Sequence, residues 1–122
     1  MSSAWIVSGA LLCALSVLGG AFGAHGLRAR LDADALALWE TAARYLMYSG
    51  LGLVLIGIVA QSRESGSLLW AGGLLLGGTL IFSGTVAILA LGGPRWLGAI
   101  TPIGGTLMIA AFVVFALSAR SS

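Results

Sequence analysis

Polar and apolar positions in this chain alternate over whole segments rather than residue by residue. Charge-free stretches occupy residues 1–27, 45–62, 65–94 and 96–119, each near or above the roughly 20 residues a helix needs to cross about 30 Å of hydrocarbon. They predict four spans, over about residues 5–24, 43–60, 68–91 and 97–118. An alternative takes the first as a cleaved signal peptide, because small residues around Ala24 and Ala29 resemble a cleavage region. No Lys or Arg precedes Trp5, however, and the apolar run is longer than a usual signal core, so the span is read as retained. The expected fold is an all-α membrane protein, an antiparallel four-transmembrane-helix bundle forming one domain over residues 1–122.

The polar punctuation refines these elements. The first helix is expected to end near Phe22 among Gly19, Gly20, Gly23 and Gly26, with Trp5 at the opposite interface. Asp32 and Asp34 are helix starters whose carboxylates can cap free amides. From Asp34 to about residue 60 runs a helix of about 40 Å, longer than the hydrocarbon requires, so its first third must lie in the interface. This start is amphipathic: Glu40, Thr41, Arg44 and Tyr48 form one stripe, while Leu36, Trp39, Ala43, Leu46 and Met47 lie opposite. Glu40 and Arg44 also stand in the favourable acid-first i,i+4 order. Residues 61–67, with Arg63 and Glu64, make a polar turn. Gly92, Gly93 and Pro94 break the third helix, and Arg95 and Trp96 anchor the next turn. The fourth helix has two possible starts. Thr101 and Pro102 fit an N-cap and first-position pair, leaving residues 97–101 as a separate short segment, or a kinked helix runs through Pro102.

Four crossings place the first and third loops on one side of the membrane, with both termini and the second loop on the other. His25, Arg28, Arg30, Asp32, Asp34, Glu40, Arg44, Arg95, Trp96 and Thr101 then gather at the loop side. Any chemical or partner-binding face is expected there.

Composition agrees with a bilayer environment: 59% of residues are hydrophobic and only 8% charged, with a mean hydropathy of +1.07. The net charge is +2, and all basic residues are scattered arginines, a pattern without the basic patch that nucleic-acid binding uses. Cys13 lies in the first apolar run and has no intrachain partner. His25, the only histidine, stands without the further ligands a metal site requires, so no metal and no cofactor are expected. Neither paired carboxylates at membrane depth nor a nucleophile-and-base signature occurs, and the chain is read as non-enzymatic.

Glycines fall at helix-packing intervals: Gly19 with Gly23, Gly73 with Gly77, and Gly77 with Gly84. Because lipid offers little hydrophobic drive between helices, small residues supply close backbone approach. The first and third helices are therefore expected to touch, within one chain or between copies. Ser83, Gly84 and Thr85 are the strongest candidates for bonding between helices.

The segments LGGAFGAHGL (residues 18–27), ETAARYLMYSGL (40–51), IFSGTVAILAL (81–91) and GAITPIGG (98–105) resemble, in order, the signature blocks of the domain-of-unknown-function 423 family, also called transmembrane protein 256-like. The resemblance implies a small four-helix membrane protein and no established activity. Where many relatives resemble Y-Q-M-x-H, this chain has Leu46 and Ser49 in place of the Gln and His. The positive-inside count, four arginines on the loop side against two, points to external termini. The basic C-terminal tail of bacterial relatives implies cytoplasmic ones, and the reading follows the resemblance: a multi-pass protein of the bacterial inner membrane with cytoplasmic termini.

Two functions follow as expectations. One is a non-enzymatic homo-oligomer or accessory subunit of a membrane complex, packed through Gly19, Gly23, Gly73, Gly77 and Gly84. The other is a lipid or small-solute binding or transport protein, its anionic head-group site formed from His25, Arg28, Glu40, Arg44, Tyr48, Arg95 and Thr101, between the start of the second helix and a broken start of the fourth.

Overall fold

The computed structural model describes residues 2–63 and 65–120; Glu64 of the second turn lies outside them. The described residues form α1 (Ser2–Phe22), continued by a π-helical turn (Gly23–Leu27), then α2 (Ala33–Ser62), α3 (Gly66–Ala90) and α4 (Leu97–Arg120). Each helix is long and apolar enough to cross a membrane. The chain is an antiparallel four-helix bundle in which α2 and α3 form the central pair, α1 lies along α2 and α4 along α3.

Local chemistry sets the boundaries. Asp32 has an extended backbone and its carboxylate accepts the Ala35 N–H at 2.8 Å, so it, rather than Asp34, caps α2. Asp34 sits inside the first turn, where a negative charge suits the helix dipole. The Ser65 hydroxyl accepts from the Leu68 N–H at 3.3 Å and starts α3 at Gly66, two residues before the expected start. At the far end Gly92 takes φ 93°, a left-handed conformation that glycine adopts without strain. The Gly93 N–H then reaches Ile88 O at 2.8 Å and the Gly92 N–H reaches Leu89 O at 3.1 Å, the paired bonds of a Schellman stop.

Of the two starts open for α4, the continuous helix is the one formed: it begins at Leu97 and carries Pro102 within it. Pro102, the sixth residue of α4, has no N–H to give Gly98 O, so one helix bond near the start of α4 is missing and its ring lies against that carbonyl. The Thr101 hydroxyl donates to Leu97 O at 3.1 Å across the same turn.

Helix packing departs from the expected glycine pairs. Gly9 of α1 rests on Gly50 of α2 so closely that a Cβ on Gly50 would meet Gly9 O at 2.7 Å and Cys13 N at 3.0 Å. In the same way a Cβ on Gly78 of α3 would lie 2.8 Å from the Gly104 O of α4, and one on Gly104 would lie 2.7 Å from Gly78 O. Backbones meet there because no side chain intervenes. A Cβ on Gly73, Gly77 or Gly84 would have nothing within 4 Å, so these glycines form no contact between α1 and α3 of one chain. Those helices meet instead at Trp5, whose indole fills the notch left by Gly72. Trp5 is therefore 7% exposed, a core residue rather than the interfacial aromatic expected, whereas Trp70 and Trp96 are 68% and 64% exposed.

The main cluster of buried apolar residues is weighted toward one half of the bundle. Trp5 and Leu12, Leu53, Ile56 and Ala60, Leu68, Ala71 and Leu75, and Met108 and Ala111 all belong to the half nearer the termini. At that end the Arg63 guanidinium donates to Ser118 O at 2.7 Å, tying the turn before α3 to the last turn of α4.

Candidate functional site

The half nearer the loops is held differently, by hydrogen bonds between helices. The Ser16 hydroxyl of α1 donates to Ala43 O of α2 at 2.6 Å, and the Trp39 indole N–H of α2 donates to Gly19 O of α1 at 2.7 Å. The Ser83 hydroxyl of α3 donates to Ala42 O at 2.9 Å, and the Thr85 and Thr101 hydroxyls join α3 to α4 at 2.6 Å. Ser83 and Thr85 thus make the bonds expected of them, and at Gly84 between them an added Cβ would meet nothing within 4 Å.

Trp39 also shapes the end of α1. A Cβ on Gly23 would lie 2.7 Å from the indole, so only glycine lets the ring lie against the helix at that point. The wide π-helical turn begins at this glycine and carries His25 on its exposed side. Phe22 stacks edge-on against Trp39 with ring centroids 6.2 Å apart.

Between α1 and α3, above the Trp5 closure, a groove of about 520 Å³ remains, within the usual range of small-ligand sites. Leu15, Leu18, Gly19 and Phe22 form one wall. Leu80, Gly84 and Ala87 form the other, and the floor is Trp39, Ala42, Ala43 and Leu46 of α2 with Thr79 and Ser83. Its polar side-chain atoms are all engaged within the protein: Thr79 on Leu75 O, Ser83 on Ala42 O and Trp39 on Gly19 O. The groove therefore offers apolar contact and no free donor.

The residues expected to bind an anionic head group do not line this groove. Glu40, Arg44 and Tyr48 are exposed on the side of α2 opposite Ala42, Ala43 and Leu46, as the amphipathic pattern requires. His25 and Arg28 are exposed at the π-turn, and Arg95 is exposed in the turn before α4. The Thr101 hydroxyl is engaged by Thr85 and Leu97 O. The broken helix start that would have framed a pocket between α2 and α4 does not exist. Among the described residues no group of three or more His, Cys, Asp or Glu side chains could hold a metal ion. Of the glycines expected to pack helices, Gly19 and Gly84 line the groove, Gly23 receives Trp39, and Gly73 and Gly77 face outward.

Sequence reasoning missed the groove because its walls are ordinary apolar residues. The one available signal was Trp39 on the apolar side of an otherwise polar interfacial segment. Of the two positions that depart from the Y-Q-M-x-H pattern, Leu46 keeps the groove floor apolar. Ser49 is fully buried, and its hydroxyl has no hydrogen-bond partner.

Comparison with known proteins agrees with the architecture. The chain is 48% identical over 114 residues, 93% of each chain, to a UPF0382 membrane protein of Staphylococcus haemolyticus. It is 41% identical over 114 residues, again 93% of each, to one of Staphylococcus aureus. To the UPF0382 membrane protein YwdK of Bacillus subtilis it is 38% identical over 116 residues, 94% of each chain. No solved structure matches it. Residues 19–105, from the end of α1 through the first turns of α4, match the family described as "Protein of unknown function (DUF423)", and the chain belongs to that family.

Proposed function

We propose that this protein is a non-enzymatic, multi-pass protein of the bacterial inner membrane that works by lateral association, as a homo-oligomer or as a small subunit beside a larger membrane complex. The observation that carries this reading is the outward pair Gly73 and Gly77 on α3, where an added Cβ would meet nothing within 4 Å. An interval of four residues keeps the two on one helix face. The glycines that α3 uses inside the chain, Gly72 and Gly78, lie elsewhere on its circumference and are already covered. A second helix crossing at this pair would meet bare α3 backbone, as α4 does at Gly78. Short turns leave little mass outside the bilayer, so association within the membrane plane is the natural mode of action. The termini are assigned to the cytoplasm on the family resemblance.

Size analysis in mild detergent with the detergent mass subtracted tests this. The wild-type chain is expected as a multimer or in company with a second protein, and Gly77→Leu, whose Cβ would have nothing within 4 Å in the chain, is expected to release a folded monomer. A wild-type particle that is strictly monomeric and co-purifies with nothing overturns the reading. Binding of membrane lipid is a second reading, favoured by the loop-side groove.

A further inference from the structure

We propose that the groove between α1 and α3 holds one acyl chain of a phospholipid from the leaflet on the loop side. The first argument is depth. From Thr79 to Ala87 the groove follows α3 for eight residues, about 12 Å, close to the roughly 15 Å of one hydrocarbon leaflet. Below it Trp5 sits in the Gly72 notch and brings α1 and α3 together. A helix crossing the whole bilayer would find a seat along only half its length. An acyl chain ends at the midplane, where the groove ends.

The second argument is chemistry. Leu18 and Leu80 are 66% and 57% exposed on the two walls, and the floor presents Ala42, Ala43 and Leu46. With Thr79, Ser83 and Trp39 bonded internally, the groove has no unpaired donor with which to select a polar solute. An apolar occupant gains dispersion contacts on three sides instead of one. The third is charge. The exposed Arg28 follows directly on the π-turn that extends the Phe22 wall, and Arg30 follows two residues later, at the level where a phosphodiester lies. The acidic group nearest in sequence, Asp32, is engaged as the cap of α2.

The test uses the full-length protein in vesicles of phosphatidylglycerol with a photoreactive diazirine in one acyl chain. Adducts are expected at least fivefold enriched on Leu18, Phe22 and Leu80 over the comparably exposed Ile109 and Leu117. Native mass spectrometry after detergent extraction is expected to show one retained phosphatidylglycerol. Gly19→Leu, whose Cβ has ordinary contacts at 3.7 Å from Ala43 Cβ, sends a side chain into the groove and is expected to lower retention at least tenfold. Gly77→Leu, outside the groove, leaves retention unchanged even where it releases monomers, so this inference and lateral association fail separately. Even labelling of all lipid-facing residues overturns the proposal. So does unchanged retention in Gly19→Leu of wild-type melting temperature. A photoreactive leucine analogue at position 18 that cross-links to a second polypeptide instead of lipid also overturns it.

Discussion

The two halves of this bundle solve the same problem with opposite materials. Near the termini, helices meet over glycine notches and large apolar side chains: Gly9 on Gly50, Trp5 in Gly72, and Leu53 and Ile56 buried to 0% exposure. Near the loops the glycine contacts of Gly23 with Trp39 and of Gly104 with Gly78 are joined by side-chain hydrogen bonds to carbonyls, from Ser16, Trp39 and Ser83, and by the Thr85–Thr101 pair. The first half is closed between α1 and α3 and the second is open. In lipid, apolar burial gives little net drive, so close packing supplies adhesion where shapes match and hydrogen bonds supply it where a gap is kept. A groove can persist in the second half because its adhesion does not depend on filling space.

The sharpest way to break this contrast is to place the same residue in both halves. Gly9→Leu drives a side chain into the α2 backbone at Gly50 and Val54, and overpacking against unyielding atoms costs about 3 kcal/mol or more. Gly84→Leu adds a Cβ with nothing within 4 Å and sends its side chain into the open groove, so it should change stability by less than about 0.5 kcal/mol. Denaturation by titrating SDS into mild detergent measures both, and equal losses would erase the distinction. Next in size is Asp32→Ala, which removes the cap from the loop-side start of α2 at about 1 kcal/mol. Hydrogen exchange should rise at residues 33–36 and stay constant at residues 53–60. Trp39→Phe keeps an aromatic ring beside Gly23 but deletes the bond to Gly19 O, a loss of about 0.6 kcal/mol by the average for membrane hydrogen bonds. Amide exchange at Gly23 and Ala24 reads whether the π-turn loosens with it. The smallest effect, of opposite sign, belongs to Ser49→Ala. Removing a buried hydroxyl that has no partner should leave stability level or raise it by up to about 1 kcal/mol, and a clear destabilisation in the same titration would show that Ser49 contributes a contact.

The sequence carried the spans plainly, since a charge-free run of helical length has few other folds available in a membrane. It also carried the Asp32 cap, the Gly92–Gly93 stop and the two-sided start of α2, all of which depend on residues within a turn or two of each other. The pairing of Gly9 with Gly50 was not legible. Within α1, Gly9 belongs to no glycine repeat, and its role appears only once the register of α2 against α1 is known. The reverse error befell Gly73 and Gly77, whose spacing marks a face without saying what covers it. Trp5 looked interfacial because it lies near a helix start, yet Gly72, 67 residues away, draws it inward. The groove escaped for the same reason: it is a gap between helices, and no single segment encodes a gap.

The glycine contacts also divide the chain in time. Gly9 and Gly50 belong to one hairpin and Gly78 and Gly104 to the other, so each pair of helices contains its own zipper. During synthesis the first hairpin has everything it needs to close before the second has been translated. What remains is the docking of two preassembled pieces along α2 and α3, with Arg63 at the end of the first piece latching onto Ser118 O in the last turn of the second.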